Sequence, residues 1–439
     1  MDPDAFGSGR HTCRNRELKR RVMKIDKIFG RDLFNAAGVP TLSCEIVLED
    51  GTFVSASIPS DPLTEQEGFF VLRDGGSRCK GQGLLKAIYN IESIVAPALI
   101  GKIPEVHVGD ALLAELDGTA QRSKLGANVT LAVSMAMCKA QAAVEELELF
   151  EVIAQLQGSA SVSLPFPLLT IANGGNILQN GLYFQGILLV PVGAENFRTA
   201  LEYALQVFHT YQALLIADKK AVGITESGGI FSTYADTFES FEYVTKALKL
   251  TGLESSFVIG VDAGADRLYD AFSQTYTWGN EQKTATQLIE VYRRLCDSYP
   301  LYSLENGLSW QDVEGGRKLY EALGSAIQLA SNDGFSHSAT LLQGLDAQRV
   351  TNASVIRLAG VSTVTELLES VQFAQTHGLN TIIACSAGET EETFLADVAV
   401  GTSSGQIQAG GGSRSEFLAK YNRLLFIEDL LASELLNRA

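Results

Sequence analysis

The chain has 439 residues, 46% hydrophobic and 19% charged, with a net charge of −17. That length predicts two or three domains, with cores large enough to need neither disulfides nor metals. The acidity argues against nucleic-acid binding and against adhesion to anionic membranes.

Other exclusions follow from spacing. Cys13, Cys44, Cys79, Cys138, Cys296 and Cys385 show no C-x-x-C pattern, which is poor support for a disulfide framework or a zinc site. There is no apolar run of about 18 residues, as a membrane span needs. No secretory signal is visible at the N-terminus. A cytoplasmic location is the default expectation.

Residues 1–24 form a basic arm, with Arg10, Arg14, Arg16, Lys19, Arg20, Arg21 and Lys24 against Asp2, Asp4 and Glu17. The arm reads as a solvated tail or as a docking segment for an acidic partner. Thr41–Leu48 and Thr52–Ile58 flank Asp50-Gly51, a hairpin signal. Gly83–Leu99, Val108–Leu116 and Leu125–Leu156 carry apolar residues at helical spacing, with Asn128–Glu145 the clearest helix. Strands followed by helices predict an α+β unit over residues 25–160.

Beyond it, apolar β-type runs recur at Leu168–Ile171, Ile187–Val190, Phe257–Val261, Tyr302–Leu304, Ile327–Ala330, Val355–Leu358, Thr381–Cys385 and Gln406–Ala409. Amphipathic stretches such as Ala285–Cys296 and Val364–His377 lie between most of them. This alternation predicts an α/β fold with a (β/α)8 barrel over residues 161–439. The chemistry of such a barrel belongs at the C-terminal ends of its strands.

Several collinear segments carry a resemblance. Residues 117–128 read DGTAQRSKLGAN, 173–175 read NGG followed by Gln185, 388–397 read GETEETFLAD, and 404–429 read SGQIQAGGGSRSEFLAKYNRLLFIED. Residues 59–74 begin Pro-Ser and end Arg-Asp. Together they resemble the enolase family along the whole chain after the arm. The resemblance implies an α+β N-terminal domain before an eight-stranded barrel. It also implies dehydration of 2-phosphoglycerate to phosphoenolpyruvate. That reaction needs a lysine base, two divalent metal ions, paired leaving-group carboxylates, and His, Arg and Ser groups on the substrate.

Matched position by position, most of those groups are absent. The base lysine is Arg357, whose guanidinium stays protonated in proteins and so cannot accept a proton. The second lysine is Gln408. The two glutamates are Gly186 and Ser227, with Glu226 one residue early. The substrate histidine of the NGG loop is Ile177, and the His-Arg-Ser run before GET reads Cys385-Ser386-Ala387. The mobile-loop serine that helps hold the second metal is Leu63. Of the first-metal cluster, Asp262 and Glu305 remain, and the third carboxylate reads Asn332 beside Asp333. These oxygen ligands suit a weak Mg²⁺ site, or are vestigial carboxylates bonded to water.

Arg357 has two readings: it binds an anion, or it pairs with Asp262, Glu305 or Asp333 in place of a metal. Cys385 reads as a small buried hydrophobe before it reads as a nucleophile. His11, His107, His209, His337 and His377 are scattered and read as structural.

The expected function is a pseudoenzyme used as a scaffold or binding module. The alternatives are an enzyme of altered chemistry and a weak residual phosphopyruvate hydratase. The resemblance also implies a homodimer. Its cross-subunit ion pair reads Ser43 and Phe426 here, while Arg31 and Glu416 of a second pair remain. An apolar Phe426 contact, with a copy of the chain or with another protein, replaces the first pair in this reading.

Overall fold

A computed structural model describes residues 11–12, 23–60, 68–175, 178–331 and 350–438. Leu63, Ile177, Asn332, Asp333, His337 and most of the basic arm lie outside the described residues. Within the arm, His11–Thr12 pairs antiparallel with Ser161–Val162.

The N-terminal unit begins with an antiparallel meander: β1 (Ile25–Phe34), β2 (Pro40–Leu48) and β3 (Phe53–Ser57). The Asp50-Gly51 turn forms where expected. Its Asp50 carboxylate accepts from the Thr52 amide at 2.9 Å. Helical turns run from Leu85 to Leu99, followed by α1 (Val106–Asp117), α2 (Ala127–Glu145) and α3 (Leu149–Gln157). α2 is Ala-rich and almost wholly buried against β2 and β3. The expected single helix Leu125–Leu156 is therefore two. Glu146 turns left-handed (φ +52°), and a reciprocal Glu148–Glu151 capping box starts α3. Apolar periodicity continues through that break, so it could not reveal it.

The barrel strands are β4 (Phe166–Pro167), β5 (Leu169–Asn173), β6 (Gly186–Pro191), β7 (Phe257–Asp262), β8 (Leu301–Glu305), β9 (Gln328–Ser331), β10 (Ala353–Arg357), β11 (Asn380–Ala384) and β12 (Gly405–Gln408). From β7 to β12 every neighbouring pair is parallel. One expectation fails here. β6 runs antiparallel to both β5 and β7, and a loop rather than a helix joins β5 to β6. The two helices that follow β6, Phe197–Ala217 and Thr237–Thr251, come before β7. The sheet closes on itself because β4 and β5 are nearly continuous. β4 pairs with β12 while β5 pairs with β6.

Alternation sorts the strand residues into two apolar clusters. Leu168, Leu188, Val190, Ala330, Ala353, Val355, Ile382 and Ala384 fill the barrel interior. Ile187, Val261, Leu304, Leu329, Ile356, Ile383 and Ile407 face the surrounding helices. By the same period of two, Gly186, Asp262, Glu305, Arg357 and Gln408 face inward at the C-terminal mouth.

The N-terminal unit rests on the loops at that mouth. The Ser60 amide donates to the Gly388 carbonyl at 3.0 Å, and the Ala36 amide to the Glu389 carbonyl at 3.0 Å. Lys139 pairs with Glu392 at 2.7 Å. Gly388 is left-handed (φ +64°), and a Cβ there would lie 2.5 Å from the Ser60 carbonyl oxygen. Only glycine lets the two backbones approach so closely.

Candidate functional site

Sheet register assembles the mouth before any side chain is considered. Gly186 is opposite Asp262, and Asp262 is opposite Glu305. Across the mouth, Arg357 is opposite Ala384, which is opposite Gln408. The matched positions of β6, β7, β8, β10 and β12 thus share one interior layer.

Arg357 reaches across β9 to Glu305, and its Nη2 donates to Oε1 at 3.0 Å. Of the three carboxylates weighed for the pairing, Glu305 is in contact with Arg357, and Asp333 lies outside the described residues. Both side chains are largely buried, at 15% and 3% exposure. A buried pair of this kind offers little net stability, yet losing one partner strands a charge. Asp262 is buried beside it, and its Oδ1 accepts from the Gly264 amide at 3.1 Å. At the position matched to the base lysine, then, a guanidinium, which stays protonated, is bonded to a carboxylate.

The leaving-group side is equally altered. Gly186 has an ordinary φ, and a Cβ there would meet its nearest neighbour, Asn173 Nδ2, at 3.5 Å. The backbone there does not require glycine. Ser227 Oγ donates to Asn173 Oδ1 at 2.9 Å, and Thr225 Oγ1 donates to the same oxygen at 2.7 Å. Asn173 Nδ2 in turn donates to the Gln185 carbonyl at 3.0 Å. Ser227 thus holds loops together and carries no acid. Glu226 is exposed.

Cys385 and Ser386 follow β11. Burial, reinforced by Glu389, pushes the Cys385 thiol well above its usual pKa, against Lys420 and Arg357 pulling the other way. It therefore stays protonated near neutrality, which disfavours a nucleophilic role. The Ser386 amide donates to Glu389 Oε1 at 2.9 Å. Lys420, fully buried, donates to Glu389 Oε2 at 2.9 Å and to the carbonyls of Thr390 and Glu416. Burial alone would pull the Lys420 ammonium down. Glu389 outweighs it, and the pKa is raised. This buried lysine was not singled out from the sequence; a lysine inside the apolar stripe of the last helix is the signal that could have found it. Gln408 Oε1 and Ser386 Oγ are buried with no hydrogen-bond partner among the described residues.

Of the expected metal set, Asp262 and Glu305 are the described members, and both are buried. Glu305 Oε1 is committed to a cation already, and Asn332 lies outside the described residues. Among the described residues no three His, Cys, Asp or Glu side chains gather as a metal cluster. Of the described histidines, His107 bonds Thr365 Oγ1 at 3.1 Å and His377 the Phe373 carbonyl at 2.8 Å.

The residues weighed for a dimer contact have these surroundings within the chain. Ser43 is buried in its own sheet, with Oγ donating to the Ala56 carbonyl at 3.1 Å, and it presents no surface. Arg31 pairs with Glu45 at 2.7 Å, and Glu416 with Arg414, both within the chain. Phe426 is 49% exposed, with the Arg423 guanidinium over its ring.

Residues 161–437 match the family model described as Enolase, C-terminal TIM barrel domain, and residues 25–153 match Enolase, N-terminal domain. Curated relatives named Enolase come from Solanum lycopersicum (35% identity, covering 93% of this chain and 96% of the relative) and Acidothermus cellulolyticus (37%, 93% and 94%). A third, from a Nitratiruptor species, is 35% identical over 95% of this chain and 99% of the relative. Across two family models and these full-length relatives, the chain belongs to the enolase family.

Proposed function

We propose that this chain is an enolase-family pseudoenzyme that does not dehydrate 2-phosphoglycerate and serves as a scaffold or binding module. The observation that carries the reading is Arg357, held on Glu305 at the position matching the base lysine. One positioned acid or base contributes roughly 10²- to 10⁴-fold, and one electrostatic donor about 10²- to 10³-fold. Here the positions of both lysines, both glutamates and the phosphate-binding groups read Arg357, Gln408, Gly186, Ser227, Cys385 and Ser386. Even allowing for non-additivity, little turnover should remain.

The test is phosphoenolpyruvate formation by purified protein with Mg²⁺, with host enolase excluded. Turnover more than about a thousandfold below that of an ordinary enolase is expected, given several such losses. Turnover within that margin would overturn the reading. The name Enolase on relatives at 35–37% identity favours a second reading, a weak residual hydratase, which the same assay would detect.

We further propose a division into the arm 1–24, an N-terminal domain 25–160 and a barrel domain 161–439, which the bounds of the family matches support. The acidic composition supports a cytoplasmic setting. A homodimer is proposed from family membership, with exposed Phe426 in an apolar contact in place of an ion pair. Light scattering decides: a monomer at micromolar concentration would reject the dimer and favour a different protein on the Phe426 surface or the basic arm.

A further inference from the structure

The mouth sets a charge problem independent of catalysis. Asp262 and Glu305 are opposite one another on parallel neighbours, both face inward, and both are buried. Two carboxylates so placed repel strongly in a low-dielectric interior unless a cation stands with them. The family's solution is a divalent ion, whereas here Glu305 Oε1 already accepts from a guanidinium. Lys420, the nearby buried ammonium, is committed to Glu389 and to two carbonyls. Among the described residues, a cation that reaches Glu305 of this pair comes from β10, on the far side of β9.

We propose that the Arg357 guanidinium is a built-in replacement for the metal: it neutralises the Asp262–Glu305 pair and makes the barrel mouth independent of divalent ions. The geometry explains why arginine suits the task. The side chain must cross the width of one strand, and its planar head offers several fixed donors to carboxylate oxygens. Its charge is permanent, so the mouth is neutralised whatever the supply of metal. A divalent ion would have to displace the guanidinium from Glu305 Oε1 before it could bind there.

The test reads stability rather than turnover, so its failure leaves the inactivity reading standing. Melting temperatures are measured for the full chain in EDTA and in millimolar Mg²⁺ or Mn²⁺, with calorimetric titration of Mn²⁺ alongside. The natural protein should melt at the same temperature in all conditions. Arg357→Met should melt lower in EDTA, on the order of 5 °C, and recover in part with metal, with Mn²⁺ binding now measurable. Arg357→Met combined with Glu305→Gln should regain stability in EDTA and lose the response to metal. If Arg357→Met does not fold in EDTA, refolding with Mg²⁺ is read instead: recovery supports the proposal and failure overturns it. Three other results overturn it: metal stabilisation of the natural protein that Glu305→Gln abolishes, an Arg357→Met variant as stable in EDTA as the natural protein, or one that neither ion stabilises.

Discussion

The two ends of the barrel differ in how their buried polar groups are satisfied. Near the floor, Gln328 donates to Ser303 Oγ at 3.0 Å and to Gln406 Oε1 at 2.9 Å, while Gln406 and Asn380 both donate to Gln328 Oε1. These side chains complete one another inside the sheet. At the mouth, Gln408 Oε1 and Ser386 Oγ lack partners among the described residues, and a guanidinium is fixed to a carboxylate where the family has its base. The floor has the character of a structural network. The mouth instead carries unsatisfied oxygens beside a buried ion pair. Scaffold and chemistry can thus diverge separately in one barrel, because they occupy opposite ends of the same strands.

The floor should show the largest effect. Gln328→Leu leaves Gln406, Ser303 and Asn380 without their shared partner. It should destabilise the protein by about 2–4 kcal/mol in urea unfolding. A loss below about 0.5 kcal/mol, the scale of an ordinary surface substitution, would break the contrast between the two ends.

Changes at the mouth should cost less. Gly186→Ala adds a side chain where a Cβ finds only ordinary contact. A loss of about 1 kcal/mol or less is expected from the same unfolding experiment. A collapse of stability would mean that glycine is demanded by the backbone after all. Gln408→Met should be smaller still, within about 0.5 kcal/mol, because the carbonyl it removes satisfies no described donor. A large loss there would reveal a partner that sharpens the picture of the mouth.

The smallest expected effect is no reaction at all. Burial raises the pKa of Cys385, so its thiol stays protonated at mildly alkaline pH, whereas Cys79 is exposed. Iodoacetamide on the folded protein should modify Cys79 and leave Cys385 intact, as read by peptide mass spectrometry. Rapid labelling of Cys385 would reopen a nucleophilic role.

Much of the fold is legible in the sequence, for identifiable reasons. Runs such as Phe257–Val261 and Thr381–Cys385 are apolar because strands buried on both faces must be, and their observed strands differ by a residue or so at each end. The direction of β6 is not legible, since apolar pattern carries no sign of parallel or antiparallel pairing. Asp262 and Glu305 stand out as carboxylates that end apolar runs. That Arg357 would contact Glu305 depends on reach across β9, which spacing along the chain does not contain. The Gln328–Gln406 floor was missed because two polar residues within short apolar runs look like surface positions until the barrel closes around them.

The central claim is that no residue at the mouth abstracts the substrate's α-proton. It is tested most directly by incubating 2-phosphoglycerate with the purified protein and Mg²⁺ in D2O and following the C2 proton by NMR. Exchange is read even if hydroxide never leaves, so proton abstraction is isolated from the missing glutamates. With Arg357 at the base position the C2 proton should be retained at the rate of a protein-free control. Enzyme-dependent loss of that signal, abolished in a variant at Arg357, would contradict the account.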